Sequence, residues 1–245
     1  MKAIILAGGK GTRLIDPANP APKVLREANG KPLIQYVLTA LDHIAKEDIT
    51  IIVGFMREKV MERFPEYPFA IQEQQLGTGH AVMCAIEASD LENYDGDVAV
   101  LCGDAPLINK STILELERIH REAGNACTIL SCLSYEDDAF GRIVRENGNV
   151  VGIVEAKDCT PEQRAIPEKN SGLCIFDCKS LCETIKLVGN NNKQGEYYLT
   201  DVPKLLIEQG KKVDAYVTED KSQLMGVNTL EDLAIIEQML NDMGA

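Results

Sequence analysis

The sequence predicts an α/β fold in which a mostly parallel sheet is wrapped by helices and carries a smaller β-rich lobe. Three observations support this. Short runs rich in β-branched residues alternate with amphipathic stretches of helical period, glycines follow the first run directly, and a hairpin signal interrupts the alternation in mid-chain. Lys2 to Leu6 (KAIIL) reads as the first strand. Pro32 to Ala45 is amphipathic and helical, with Pro32 where a first turn tolerates it. Ile49 to Val53 is the next strand, followed by a helical stretch near Arg57 to Arg63. Val98 to Leu101 precedes a helix around Ser111 to Arg121; Cys127 to Leu133 and Val213 to Val217 are further strands. Sheets of this kind bind ligands at the carboxyl ends of their strands. The segment GRIVRENGNVVGIVE has two β-rich arms around Asn147-Gly148, a hairpin that places the lobe around 135–200 inside a domain of residues 1–228. Residues 229–245 read as a C-terminal helix whose stripe of Leu233, Ile236 and Leu240 should pack on its own domain.

Composition narrows the function classes. An apolar content of 45% argues against disorder, and 19 Gly and 10 Pro without a period exclude a collagen-like chain. No repeat of six residues is present, so a parallel β-helix is not expected here. Lys+Arg 25 against Asp+Glu 38 gives a formal charge of −13, which repels nucleic acid and anionic lipid; neither is an expected partner. Phosphate binding would need cations focused locally against that field. The apolar run before the first glycines is too short for a leader or a membrane span, and the 8 Cys include no CxxC pair. The thiols are therefore expected to be reduced and the chain cytoplasmic. The spacing of Cys174, Cys178 and Cys182 invites a metal reading, but NSGLCIFD is strand-like, so the three should not share one helical face.

The segment Leu6-Ala7-Gly8-Gly9-Lys10-Gly11-Thr12-Arg13-Leu14 follows the first strand. Glycines let the backbone turn sharply and point several N–H groups at one anion, while Lys10 and Arg13 add charge. No Lys-Ser or Lys-Thr pair follows the glycines, so this is not a Walker A loop, and Leu14 breaks GxGxxG. A phosphate cradle and a plain tight turn both fit the loop taken alone.

GGKGTRL followed by Pro22-Lys23-Val24-Leu25 resembles the signature of the sugar-nucleotide pyrophosphorylases. Further motifs follow in family order: QEQQLGTGHA from Gln72, CGDAPL from Cys102, FGRI from Phe140, IVEAKD from Ile153 and NNNKQGEYYLTD from Asn190. Together they are similar to the uridylyltransferase domain of the bacterial N-acetylglucosamine-1-phosphate uridylyltransferases, and the similarity runs along the whole chain. The resemblance implies a Rossmann-like, mostly parallel mixed sheet of the nucleotide-diphospho-sugar transferase type, with the small lobe binding sugar. It also implies UTP and N-acetylglucosamine 1-phosphate as substrates and Mg²⁺ as cofactor. The alternatives are another sugar 1-phosphate or nucleotide, such as glucose 1-phosphate, or a non-catalytic sugar-nucleotide sensor on the same fold.

The residues fit those roles. Asp104 follows VAVLCG at a strand's carboxyl end, where a hard carboxylate suits Mg²⁺; its competing role is a helix cap. By the resemblance Asn228 supplies a second oxygen, with capping of the last helix as its rival. Arg13 and Lys23 are assigned to the triphosphate as the catalytic cations, since attack by a phosphate oxygen on the α-phosphorus requires alignment and neutralised charge rather than a protein nucleophile. Leu6, Ala7, Gly8, Gly9, Lys10, Gly77, Thr78 and Gly103 are the implied nucleotide contacts. Gln72 can face the uracil edge, with neighbouring backbone needed to stop its amide from suiting cytosine. For the sugar, the resemblance implies Gly141, Glu155, Asn170, Tyr198 and Thr200. His80 reads as a hydrogen bonder behind the site rather than a general base. The chain departs from the family in the insert IDPANPA between Arg13 and Lys23, in Cys102 where the family commonly has Tyr, and in Ala156 where it commonly has His.

Overall fold

The computed structural model describes residues 1–11, 14, 20–135 and 139–243. In chain order, β1 (Lys2–Leu6) leads through the glycine loop to a short hairpin, β2 (Glu27–Ala28) and β3 (Lys31–Pro32), and then α1 (Leu33–Ala40), β4 (Ile49–Val53), α2 (Arg57–Arg63), β5 (Phe69–Ile71) and α3 (Thr78–Glu87). The chain continues with β6 (Asp97–Cys102), α4 (Lys110–Ala123), β7 (Cys127–Leu133), β8 (Arg142–Glu146), β9 (Asn149–Val154), α5 (Pro161–Arg164) and β10 (Glu168–Asp177). It closes with α6 (Cys178–Thr184), α7 (Val202–Glu208), β11 (Val213–Thr218) and α8 (Leu230–Met243).

Sheet order is β11-β7-β10-β6-β1-β4-β5. β1 runs parallel to β4 and β6, with Leu6 level with Ile52 and with Cys102, so three strands end on one rim. β10 runs antiparallel to its neighbours β6 and β7, and β8 and β9 join the same sheet through antiparallel pairs, which makes the sheet mixed. The period of two sorts each strand between two cores. Ile4, Val98, Val100 and Phe176 enter one cluster, while Ile5, Ala99, Leu101 and Ile175 enter the other. Burial on both faces explains why these strands read as continuous apolar runs rather than alternating ones.

The mid-chain hairpin forms as predicted, with Asn147 at φ 50° and Gly148 at φ 84° in the turn. It hangs on β10 through the Arg142–Lys169 register pair. Between Asn170 and Cys174 β10 shifts register, with Gly172 at φ 84°. The helix predicted from Pro32 to Ala45 is shorter. Pro32 is paired in β3 and precedes the helix at ψ 142°, and after Ala40 the chain turns, Leu41 and Ile44 staying buried, to aim β4. Strand β10 holds Cys174, whereas Cys178 and Cys182 lie on α6, so the three do not share one helical face. All eight cysteines are free thiols. Ile236 and Leu240 of α8 pack against Leu33, Tyr36 and Val227, so the stripe covers its own domain. Among the described residues no helix is long and apolar enough to cross a membrane.

Candidate active site

Two cavities open at the strand-end rim. One, of about 480 Å³, is lined by Leu6, Ala7, Gly8, Gly9 and Lys10 from the glycine loop, by Lys23, and by Gln72, Gly77 and Thr78. The other, of about 230 Å³, is lined by Gly141, Glu155, Asn170, Thr200 and Asn228. Leu6, Thr78, Cys102 and Asp104 line both. The shared wall is therefore where the ends of two bound molecules would meet.

The glycine loop is pinned at the rim, Ala7 N–H donating to Ile52 O at 3.0 Å and Gly103 N–H to Leu6 O at 3.0 Å. Gly8 has no room for a side chain because a Cβ would stand 2.9 Å from Gln72 Oε1. Gly11, at φ 55°, would place a Cβ 2.7 Å from Lys23 Cβ. That close approach lets the Lys23 stem cross the loop, so the lysine reaches the site despite the insert before it. Arg13 and most of IDPANPA lie outside the described residues.

Lys23, Asp104 and Asn228 form the centre. The Lys23 ammonium contacts the Asp104 carboxylate directly and donates to Asn228 Oδ1 at 3.1 Å, all three side chains being largely shielded from water. Asn228 reaches Asp104 across the fold because Val227 N–H donates to Asp104 O at 3.0 Å. The competing capping roles are filled by other residues. Asn109 caps α4 through Thr112 N–H, and at α8 Thr229 is the cap: its Oγ1 accepts Asp232 N–H at 3.1 Å while the Asp232 carboxylate accepts the N–H groups of Asn228 and Thr229. Two oxygen donors thus converge on one cation, here an ammonium, and the pair fits a hard divalent ion that takes its remaining ligands from phosphate and water. Among the described residues no three His, Cys, Asp or Glu side chains gather to form an all-protein metal cage. Burial pushes the Cys102 thiol up to about 12, with Asp104 adding to the effect, so the sulfur shared by both cavities is a neutral thiol and a poor nucleophile.

Gln72 is 4% exposed, and its carboxamide nitrogen is engaged by Gly77 O at 3.0 Å and His80 Nδ1 at 3.1 Å. On the other side Thr200 Oγ1 donates to Glu155 Oε1 at 2.8 Å. Burial raises the pKa of Glu155, and nearby Asp158, Asp201 and Glu196 add to the effect, although the Thr200 bond opposes it. Asn170 Oδ1 accepts Gly172 N–H at 3.1 Å, and its backbone N–H donates to Gly141 O at 2.9 Å. Tyr198 lines neither cavity: its hydroxyl donates to Asp158 Oδ2 at 3.1 Å and accepts from Gln194 Nε2 at 2.7 Å. Ala156 is buried and also lines neither. Sequence reasoning did not single out Glu196, which lines the nucleotide-side cavity, or Phe140, Ser171, Leu199 and Leu224, which line the other. The first four lie in or beside quoted motifs, but only the fold shows which way each points.

The two cavities are joined by a backbone zipper. Tyr197 N–H donates to Leu76 O at 2.8 Å, Gly79 N–H to Tyr197 O at 2.7 Å, and Leu199 N–H to Thr78 Oγ1 at 3.0 Å. Gly77 sits at φ 112°, and a Cβ there would lie 2.5 Å from Tyr197 O. Gly77→Ala should therefore strain the backbone and push the zipper apart, at a cost of about 1–3 kcal/mol in urea denaturation. It should weaken binding in both cavities; weakening in one alone would show that they are not mechanically linked.

A polar centre thus lies at the joint of two cavities, on the carboxyl rim of a mostly parallel sheet, where sheets of this kind bind ligands. Residues 3–176 match the family model of the MobA-like NTP transferase domain, and the chain belongs to that family. It is 42% identical over 236 residues to the bifunctional protein GlmU of Acetivibrio thermocellus, covering 96% of this chain and 50% of that protein. With the Clostridium novyi protein of the same name it shares 44% over 241 residues, covering 97% and 52%. The chain thus spans about half the length of these curated relatives. In fold it is similar to a UDP-glucose pyrophosphorylase crystallised with UDP-glucose, with a TM-score of 0.78 at 18% identity, covering 99% of this chain and 98% of that one. A putative glucose-1-phosphate thymidylyltransferase from Bacillus anthracis gives 0.73 at 20%, covering 99% and 96%.

Proposed function

We propose that this chain transfers a uridylyl group from UTP to N-acetylglucosamine 1-phosphate, giving UDP-N-acetylglucosamine and pyrophosphate. The observation that carries the reading is the Lys23, Asp104 and Asn228 centre on the wall between the two cavities. A phosphate oxygen of the sugar phosphate attacks the α-phosphorus; a new P–O bond forms there, the bond to the bridging α–β oxygen breaks, and its electron pair leaves with pyrophosphate. Mg²⁺ held by Asp104 and Asn228 would supply charge neutralisation on the phosphate oxygens.

The chain's own groups do the rest. The glycine loop offers backbone N–H groups to the triphosphate, and Lys10 and Lys23 bring positive charge against a net −13. Arg13 is assigned as the partner cation of Lys23. Gln72 faces the base. Glu155 accepts from sugar hydroxyls with Thr200 beside it, while Gly141 and Asn170 let the sugar approach the backbone, and Tyr198 supports Glu155 through the Asp158 turn. In domain terms, residues 1–228 form the transferase unit, with a sugar lobe around 135–200 and residues 229–245 as its C-terminal helix.

The test is pyrophosphate release over a panel of nucleoside triphosphates and sugar 1-phosphates. UTP with N-acetylglucosamine 1-phosphate should give the highest kcat/KM, above UTP with glucose 1-phosphate. Absence of turnover with every UTP pair would remove the proposal.

A further inference from the structure

We infer that His80, together with the Gly77 carbonyl, makes the nucleotide pocket selective for a base carrying a ring N–H, by locking the Gln72 carboxamide in one orientation. The inference rests on the uridylyl reading and names a residue that enforces its base choice. A free carboxamide can turn over by half a rotation. It then offers an acceptor to the N3–H of uracil or a donor to the bare N3 of cytosine, with little difference in energy. Gln72 is not free. It is buried, and its nitrogen donates to Gly77 O at 3.0 Å and lies 3.1 Å from His80 Nδ1, which takes the second hydrogen in the tautomer whose ring proton is on Nε2.

Gly77 sets which end of the amide is nitrogen, because a carbonyl oxygen can only accept. His80 sets it a second time. Its Nδ1 accepts when the ring proton sits on Nε2, so turning the amide over would set Gln72 oxygen against two acceptors at once. With both hydrogens engaged, Oε1 is the one polar atom Gln72 has left to offer. It lies over Gly8, close enough that a Cβ there would stand 2.9 Å away. Both residues line the nucleotide-side cavity. The side-chain surface facing a base is therefore an acceptor: it suits uracil N3–H and opposes cytosine N3. His80 itself stands behind Gln72 on α3, within reach of Cys84 and the Tyr197 ring, and is a positioning residue rather than a catalytic one.

The test uses binding rather than turnover, so that it is decided separately from the proposed reaction. UTP and CTP dissociation constants are measured by calorimetry for the wild type, His80→Leu, which removes the acceptor, and His80→Asn, whose oxygen can take the place of Nδ1. Thermal melts check that each variant is folded. The wild type should prefer UTP, His80→Leu should lose about 10- to 100-fold of that preference, and His80→Asn should retain it within about threefold. A wild type that binds both alike, or an unchanged ratio in His80→Leu, would overturn the inference, as would equal weakening of both nucleotides in both variants. Tight UTP binding without pyrophosphate release would instead count against the reaction and leave the role of His80 standing.

Discussion

Asp104→Ala should lower kcat by about 10³-fold or more while the melting temperature stays within about 5 °C of wild type. The carboxylate is not needed as a helix cap, because α4 is capped by Asn109 and α8 by Thr229, whose Oγ1 accepts Asp232 N–H at 3.1 Å. Its position is fixed by its own backbone, through the bond from Val227 N–H, which the substitution leaves in place. What is lost is the negative charge that faces Lys23 and, in the proposed reaction, the oxygen that holds the divalent ion. The paired measurement is steady-state turnover beside calorimetric melting. A large drop in melting temperature with normal kcat in the folded fraction would assign Asp104 a structural role instead.

Glu155→Ala should raise KM for the sugar phosphate by about 10- to 100-fold and leave KM for UTP within about threefold. The range corresponds to hydrogen bonds to a charged acceptor, about 1.5–3 kcal/mol in all. The two cavities separate the effects: Glu155 lines the smaller one and not the nucleotide side. A pH dependence follows. Burial holds the Glu155 pKa above the usual carboxylate range, so the carboxylate takes up a proton earlier than an exposed one as pH falls. Sugar KM should therefore rise on the acid side of neutrality more steeply for the wild type than for Glu155→Gln, which has no charge to lose. The same raised pKa means that the ionised form is the less favourable one in the fold. The stabilisation from protonating Glu155 is fully present below its unfolded pKa and is lost as pH rises through the folded one. Glu155→Gln should thus cost no stability at neutral pH. Equal rises in both KM values would show that Glu155 shapes the site as a whole.

Much of the fold was legible because its strands are buried on both faces. Runs such as ITIIV and CTILSCL admit no other placement, and β4 and β7 fall where their apolar runs do. The hairpin was legible because Asn-Gly supplies two left-handed residues at little cost. Strand direction was not. The antiparallel course of β10 depends on which neighbours it meets, and nothing in EKNSGLCIFD encodes that. The overlong first helix has a similar cause, since Leu41 and Ile44 continue the apolar period while packing from a turn.

In the site, residue types pointed to phosphate and metal chemistry, and the structure brings Lys23, Asp104 and Asn228 together. Spacing could not show that a backbone bond from Val227 joins segments more than a hundred residues apart, or that Gly11 exists to let Lys23 pass. Spacing also could not show that the Tyr198 hydroxyl is engaged by Asp158 and Gln194. His80 is a similar case, a residue with two poor neighbours in sequence whose partner lies eight positions back.

The proposed reaction is a single displacement at phosphorus with no covalent nucleotidyl-enzyme. The most direct measurement is the configuration of the product made from UTP bearing one sulfur-substituted, stereochemically defined α-phosphate, read by phosphorus NMR. One in-line attack inverts the phosphorus, and inversion is the predicted result; retention, which requires two displacements and a nucleotide bound to the protein between them, would contradict it.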